Sequence, residues 1–201
     1  CIRDSSKTYD FIGFGNYAKL FSDRYFKVSI KNNIIYAVLF STMTMLVSLI
    51  LASLLNQLTK FRKLFRTLFF LPYISSMVSV AVIWKMIFNP AGGPLNTILQ
   101  QIGAANPPQW LASTKWALFA VVIVSVWKSC GYYMLIFLAG LQNIPDSLYE
   151  SAALDGASSL KRYFKITLPM ITPSIFLNMV LVTINSFPVS YTHLRAHETR
   201  R

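Results

Sequence analysis

Residues 149–169 read YESAALDGASSLKRYFKITLP, and they stand between two long apolar runs. The stretch has the marks of two short helices around a turn. Ser147 and Glu150 fit an S-x-x-E capping box, which satisfies free amides at a helix start. Leu148, Tyr149, Ala152 and Ala153 follow at helical spacing. Gly156 suits the left-handed conformation that ends a helix, and Ser158 or Ser159 can cap the next one. In the second helix Leu160, Tyr163 and Phe164 share a face, with Lys161, Arg162 and Lys165 towards another. Pro169 marks the start of the following apolar run. Such a hairpin is either a surface helix pair packed on its own protein or a rigid knob offered to a partner.

The surroundings of the hairpin decide the fold class. The chain has 201 residues, 54% hydrophobic and 13% charged. With a mean hydropathy of +0.48 it is too apolar for an ordinary soluble domain and fits a membrane protein. Ile34 to Leu55 carries no charge and is long enough to cross about 30 Å of hydrocarbon. Thr67 to Phe88 is a second span, kinked near its start by Pro72, with Lys85 placed to snorkel. Trp116 to Leu141 is a third, with Lys128 in its middle. Met170 to Phe187 is a fourth. The expected fold is therefore an all-α, polytopic membrane helix bundle, with the helix-turn-helix at residues 146–169 between its last two spans.

Lysine and arginine set the orientation. The loop Gln57 to Arg66 holds Lys60, Arg62, Lys63 and Arg66 without an acid, and Gln142 to Leu168 holds Lys161, Arg162 and Lys165. Both are expected on the cytoplasmic side. Asn89 to Thr114 has no charge, is rich in turn formers (NPAGGPLN, ANPPQW) and is expected outside, where Trp110 and Trp116 suit the interface. Parity also places residues 1–31 outside, although they contain Arg3, Lys7, Lys19, Arg24, Lys27 and Lys31. Tyr17, Leu20, Phe21 and Phe26 point to an interfacial amphipathic segment there.

A net charge of +12 raises the question of nucleic acid. The cations are divided among loops, not gathered on a patch with interleaved aromatics, so anionic lipid headgroups explain them better. Cys1 and Cys130 have no ligand-like spacing, and no metal site or cofactor is expected. Ala91 to Gly93 is glycine-rich but lacks the phosphate-loop lysine, so ATP is not expected to bind here. No nucleophile, carboxylate pair or metal cluster stands in a catalytic arrangement.

Glu150, Ala152, Ala153, Asp155, Gly156 and Ala157, with Ile166, Leu168 and Pro169, resemble the EAA loop of bacterial ABC-transporter permeases. Ser151 replaces the first alanine of that pattern. Trp127-Lys128-Ser-Cys-Gly131-Tyr132-Tyr133-Met134, Leu138-Ala-Gly-Leu-Gln142-Asn-Ile-Pro145 and Phe14-Gly15-Asn16-Tyr17 resemble the carbohydrate-importing branch, related to the maltose and glycerol-3-phosphate permeases. The resemblance runs from about Phe11 to Phe187. It implies a permease domain over residues 32–188, of which four of six core spans are present. It also implies a cytoplasmic ATPase subunit that hydrolyses ATP, a second permease subunit, an extracytoplasmic substrate-binding protein, and a bacterial cell-membrane location. Residues 189–201, VSYTHLRAHETRR, turn polar where a span should continue and resemble translated vector or adapter sequence. Without this tail the net charge is +10, because three arginines and one glutamate leave. His193 and His197 sit in it at i, i+4 spacing, without a third ligand nearby.

The candidate residues fall into two groups. Glu150, Ala152, Ala153, Asp155, Gly156, Ala157 and Arg162 are implied to couple to the ATPase; Glu150 reads equally well as a helix cap, and Arg162 and Lys161 as residues facing headgroups. Lys128, Gly131, Tyr132, Tyr133, Asn178 and Asn185 are candidates for the substrate path. Lys128 either borders that path or pairs with a helix carbonyl, since a mid-span charge needs a partner. Tyr132 and Tyr133 offer faces for sugar rings or simply pack. Asn178 and Asn185 bond a substrate or a neighbouring helix. The expected function is a permease subunit of a sugar or polyol-phosphate importer. An ion-coupled secondary transporter would need ionisable groups in several spans, and only Lys128 qualifies. A membrane enzyme would need clustered catalytic groups. A non-functional permease fragment is the remaining alternative.

Overall fold

A computed structural model describes residues 21, 23–58, 60–103, 106–113 and 115–187. The N-terminal residues up to 20, with Tyr17 and Leu20, and the tail with His193 and His197 lie outside the described residues. Contacts divide the chain into two units, residues 1–35 and 36–201.

Asp23 starts helix α1, Arg24–Gln57, of which the residues from Tyr36 on belong to the second unit: the Asp23 Oδ1 accepts the Tyr25 amide at 2.8 Å. Phe21 meets Phe26 edge to face, with ring centroids 5.7 Å apart.

After α1 the second unit has no strand among its described residues and runs in the order α2 Arg62–Ile74, α3 Met77–Ile87, α4 Pro94–Gln101, α5 Ala117–Gln142, α6 Asp146–Leu154, α7 Ser159–Arg162, a π-helical turn Tyr163–Thr167, α8 Leu168–Met170 and α9 Thr172–Ser186, joined by turns and loops. Helices α1 and α5 are each long and apolar enough to cross a membrane. The 34 residues of α1 extend about 50 Å.

The side chains of α1 are arranged opposite to those of a soluble protein. Thr44 and Ser48 are buried along with Ala37, Phe40, Ala52 and Leu55, while Val38, Met43, Leu46, Ile50 and Leu54 face outwards. Large apolar groups outside, with small and polar residues among those turned inside, are what a lipid solvent selects. The inward polar groups link helices: Ser48 donates to the Cys130 carbonyl at 2.9 Å and Tyr36 to Ser125 Oγ at 3.0 Å. Around them Ala52, Leu55, Met134, Phe137, Leu138, Leu141 and Ile171 form the main apolar core.

Helix α5 is the centre of the unit, and glycines let its neighbours come close. At Gly131 a Cβ would lie 2.6 Å from the Phe69 carbonyl carbon and 3.1 Å from Phe70 Cα, and would collide with the Phe69 oxygen. So α2 crosses α5 backbone against backbone. At Gly140 a Cβ would meet the Ser174 side chain of α9, 3.0 Å from its Cβ and in collision with its hydroxyl. A hydroxyl can rotate and a backbone cannot. Gly140→Ala is therefore expected to cost about 1–2 kcal/mol, and Ser174→Gly introduced beside it to recover most of that loss; detergent-unfolding titrations of the two single variants and the double variant check this. Additive losses would mean that the two residues do not share the space.

The second apolar run is broken, and the fourth begins at a bend. Helices α2 and α3 meet at 97°, and the segment Ser159–Met170 meets α9 at 64°. Pro72 lies inside α2 without ending it; the break comes at Ser75 and Ser76, both with extended backbone, ψ 146° and 132°. The expected kink at Pro72 is thus a turn three residues later. Proline removes one amide from the ladder, and the two serines leave the helix altogether.

Two cations close helix ends. The Arg62 guanidinium donates to the Leu55, Asn56 and Leu58 carbonyls at 3.2, 2.8 and 2.8 Å, capping α1. Lys128 of α5 does the same for α2: its ammonium donates to the Pro72, Tyr73 and Ser75 carbonyls at 3.2, 3.1 and 2.8 Å. Positive charge at the carbonyl end of a helix is favoured by its dipole.

Between α3 and α5 the uncharged loop is organised by Asn96. This residue is buried; it accepts the Trp110 indole N–H at 2.7 Å and donates to the Pro90 and Pro108 carbonyls, each at 3.4 Å. Trp110 in turn stacks on Phe88 and meets Trp116 edge to face.

Candidate functional site

The hairpin is built by local backbone rules, with one change from the sequence reading. Helix α6 begins at Asp146 with Pro145 at its N-cap, and no side chain caps it. Ser147 lies inside the first turn, and the capping box with Glu150 does not form. With the cap at Pro145, Ser147 is the second helical residue and Leu148 stands at N3, where it has no side-chain acceptor to close a box. Asp146 instead places a negative charge at the helix start.

The helix ends as expected. Gly156 has φ +70°, its amide bonds the Ala153 carbonyl at 3.1 Å, and the Ala157 amide bonds the Ala152 carbonyl at 2.9 Å. These two bonds are a Schellman motif, which fixes the exit direction of the chain. Ser158 caps α7 by accepting the Lys161 amide at 3.4 Å. The π-helical turn follows, in which the Leu168 amide reaches back to Tyr163. Pro169 has no amide for the regular ladder, so the wide turn stands next to a gap that an α-helix could not fill.

Hydroxyls fix the hairpin to the bundle. Tyr149 and Thr167 are joined at 2.9 Å across its two arms, and Tyr163 and Ser53 at 3.1 Å to α1. Ala152 is buried beneath it and Ala157 half-buried, while Glu150, Ala153, Asp155 and Gly156 are exposed. Arg162 turns towards the end of α1 and reaches Ser159 Oγ at 3.3 Å. Most unexpected are the large apolar side chains left outside: Leu154 at 91%, Leu160 at 73% and Phe164 at 61% exposure. Leu154 lies off the Tyr149–Ala152 stripe, a signal available in the helical spacing.

The second set of candidates gathers at the α2 break. Tyr73 stacks on Tyr132 at 4.8 Å and 14°, and Tyr132 meets Tyr133 edge to face at 5.2 Å. The Tyr133 hydroxyl accepts from Asn185 at 3.0 Å, and its carbonyl from Asn178 at 3.3 Å. The row Tyr73–Tyr132–Tyr133–Asn185 thus links α2, α5 and α9, with Lys128 on the carbonyls beside Tyr73. Gly131, Tyr133 and Asn178 are buried; Asn185 is exposed, and Lys128 and Tyr132 are half-exposed. Both asparagines bond a neighbouring helix, and Lys128 bonds helix carbonyls. Tyr73 was not distinguished by the sequence, because its partner stands far along the chain.

Comparisons with known proteins agree with this architecture. Residues 30–188 match the family described as binding-protein-dependent transport system inner membrane component. The chain is 38% identical over 182 residues to the probable ABC transporter permease protein YurN of Bacillus subtilis (strain 168), covering 89% of this chain and 62% of that protein. It is 38% identical over 185 residues to the sn-glycerol-3-phosphate transport system permease protein UgpA of Yersinia pestis bv. Antiqua (strain Antiqua), covering 90% of this chain and 62% of that protein. Among solved structures, a bacterial ABC transporter involved in the import of the acidic polysaccharide alginate superposes with a TM-score of 0.80 at 29% identity, over 91% of this chain and 64% of that one. The chain therefore spans somewhat less than two thirds of the length of these relatives. The helix order, the outward-facing apolar surface and the match over residues 30–188 lead to one conclusion: the chain belongs to the family of binding-protein-dependent transport system inner membrane components.

Proposed function

We propose that the chain is a membrane-spanning permease subunit of a binding-protein-dependent ABC importer for a sugar or a related polyol phosphate, with ATP hydrolysed by a separate subunit. It works in the bacterial inner membrane as a multi-pass protein, the bent pair α2–α3 serving as one of its spans and α9 as the start of another, with the hairpin arm before α9 left outside the bilayer. A second permease subunit completes the path, and an extracytoplasmic binding protein delivers substrate. UgpA is named for sn-glycerol-3-phosphate transport, and a second solved relative is an alginate transporter in complex with a periplasmic protein bound to an alginate pentasaccharide. These relatives support the substrate class.

The observation that carries the reading is the hairpin. A knob fixed by a Schellman turn and by hydroxyl bonds to its own bundle is rigid, and yet it exposes Leu154, Leu160 and Phe164. Exposed leucine and phenylalanine on a rigid projection mark a docking surface. Rigid attachment lets closure of an ATPase dimer tilt the spans as a body. Glu150, Asp155 and Gly156 supply the polar rim and the turn. On the substrate side, the half-exposed Tyr132, stacked on Tyr73 and next to Lys128, offers an aromatic face with a cation beside it.

Leu154→Asp with Leu160→Asp is expected to leave folding and insertion intact, since neither side chain is packed. Co-purification with the ATPase subunit should fall by roughly thirtyfold, the effect of losing an interface hot spot. Recovery of the ATPase at the level of the unaltered chain would refute docking through this surface.

A further inference from the structure

Beneath the hairpin lies a cavity of about 310 Å³, between the end of α1 and the hairpin's second arm. About half of its lining is polar, supplied by Asn56 and Gln57 from α1, Tyr149 from α6, and Ser159, Arg162 and Thr167 from the second arm. No carboxylate is among the described residues that line it. The hydroxyls at its edge are already used in pairs, Ser53 with Tyr163 and Tyr149 with Thr167.

Arg162 is different. Its Nε is fully buried and has no hydrogen-bond partner among the described residues, and its Nη2 holds only Ser159 Oγ there, at 3.3 Å. A buried guanidinium N–H without an acceptor is costly. Arg62, at the same end of α1, shows the contrast, with three carbonyl bonds on its guanidinium. Nothing comparable accepts from Arg162. The Nε and Nη2 of a guanidinium form a planar fork that fits two oxygens of one oxyanion. Ser159 and the amides of Asn56 and Gln57 bring further donors to the same space. Lys161 and Lys165 flank the arginine in sequence and raise the local potential. Several donors around one space suit a tetrahedral oxyanion better than a halide, and the volume leaves room for more than the anion alone.

We propose that this cavity binds a phosphate-type oxyanion on the Arg162 fork, and that the bound anion ties the hairpin to the end of α1. Both free phosphate and the phosphate of an anionic lipid headgroup have this chemistry, and positive-inside counting places the cavity at the cytoplasmic end of the spans. The site does not depend on the transport reading, because it uses only residues of this chain.

The test uses the full chain, purified in detergent and stripped of lipid. Its thermal unfolding midpoint is followed against inorganic phosphate at constant ionic strength, and separately against added phosphatidylglycerol, with phosphatidylcholine as the comparison. A ligand that binds only the folded state is expected to raise the midpoint by about 3 °C or more near saturation. A rise with inorganic phosphate identifies the free anion as the source; a rise with phosphatidylglycerol alone identifies the headgroup. Either rise must vanish in Arg162→Gln. Asn56→Asp, which puts a carboxylate into the cavity, is expected to raise the midpoint without ligand and to remove the response. It decides the matter if Arg162→Gln does not fold. No rise with either ligand, or the same rise in these variants as in the unaltered chain, overturns the proposal.

Discussion

Gly131→Ala is expected to lower the stability of the bundle by about 3 kcal/mol, roughly a hundredfold in the folded population, and Gly131→Leu to prevent folding. The reason is where the new atom would go. It would run into the Phe69 carbonyl, 2.6 Å from its carbon and 3.1 Å from the next Cα. Both are backbone atoms of a regular helix, and neither can rotate away. The only relief is to move α2 off α5, which opens the contact through Phe69 and breaks the close approach that small residues permit in membranes. The strongest control is Gly140→Ala on the same helix, where the obstacle is a serine hydroxyl. An unfolding titration in mixed micelles compares the two. If Gly131→Ala were as stable as Gly140→Ala and only transport changed, Gly131 would be a path residue and its part in the crossing would be wrong.

The second large effect is expected at Lys128. Lys128→Met keeps the length of the side chain and removes the charge, leaving the Pro72, Tyr73 and Ser75 carbonyls without their shared donor. Hydrogen bonds to a charged group are worth about 1.5–3 kcal/mol each. These acceptors regain part of that from water, because two of the three bonds involve exposed atoms, so the net loss is expected near 2–3 kcal/mol. The local signature is more telling than the total. Amide hydrogen exchange should rise at residues 75–80, where α2 gives way to α3, before the rest of α5 is affected. Lys128→Arg should restore part of the protection, since it keeps a donor of the same charge. Unchanged exchange around the break would mean that the ammonium does not hold it, and that the cost of the charge is met elsewhere.

These two residues show what was legible and what was not. Lys128 was visible as a charge in an apolar run, and such a charge demands a partner. The partner was not visible: the carbonyls it meets are 53–56 positions away, on a helix whose end is set by Ser75 and Ser76. Gly131 stood in the sequence beside two tyrosines and suggested the substrate path. Its burial against Phe69 comes from how α2 crosses α5, which no local pattern encodes. The asparagines are similar. Their presence in a span announced a polar contact, but only the packing of α9 on α5 gives both of them to Tyr133.

In the hairpin, the features that depend on one residue's own conformation were legible. Gly156 takes positive φ and Ser158 caps the next helix because each acts within a few positions of itself. The capping box failed because it competes with a register two residues earlier, where Pro145 is the N-cap and Ser147 falls inside the first turn. The kink assigned to Pro72 failed for a related reason. A proline weakens a helix where it stands, but the chain departs where the following residues adopt extended angles and a distant lysine holds the exposed carbonyls.

The sequence by itself determined that the chain is helical, that its apolar runs belong in lipid, and that a capped hairpin stands between two of them. Those properties follow from composition, period and local backbone preference, each of which acts over a few residues. Only the tertiary structure decided that the second run is bent through 97° and the hairpin arm meets the last run at 64°, that Lys128 holds a break, and that Leu154, Leu160 and Phe164 remain uncovered. Those depend on contacts between residues far apart in the chain. Such contacts are selected by fit between surfaces, and that fit exists only once the helices are side by side.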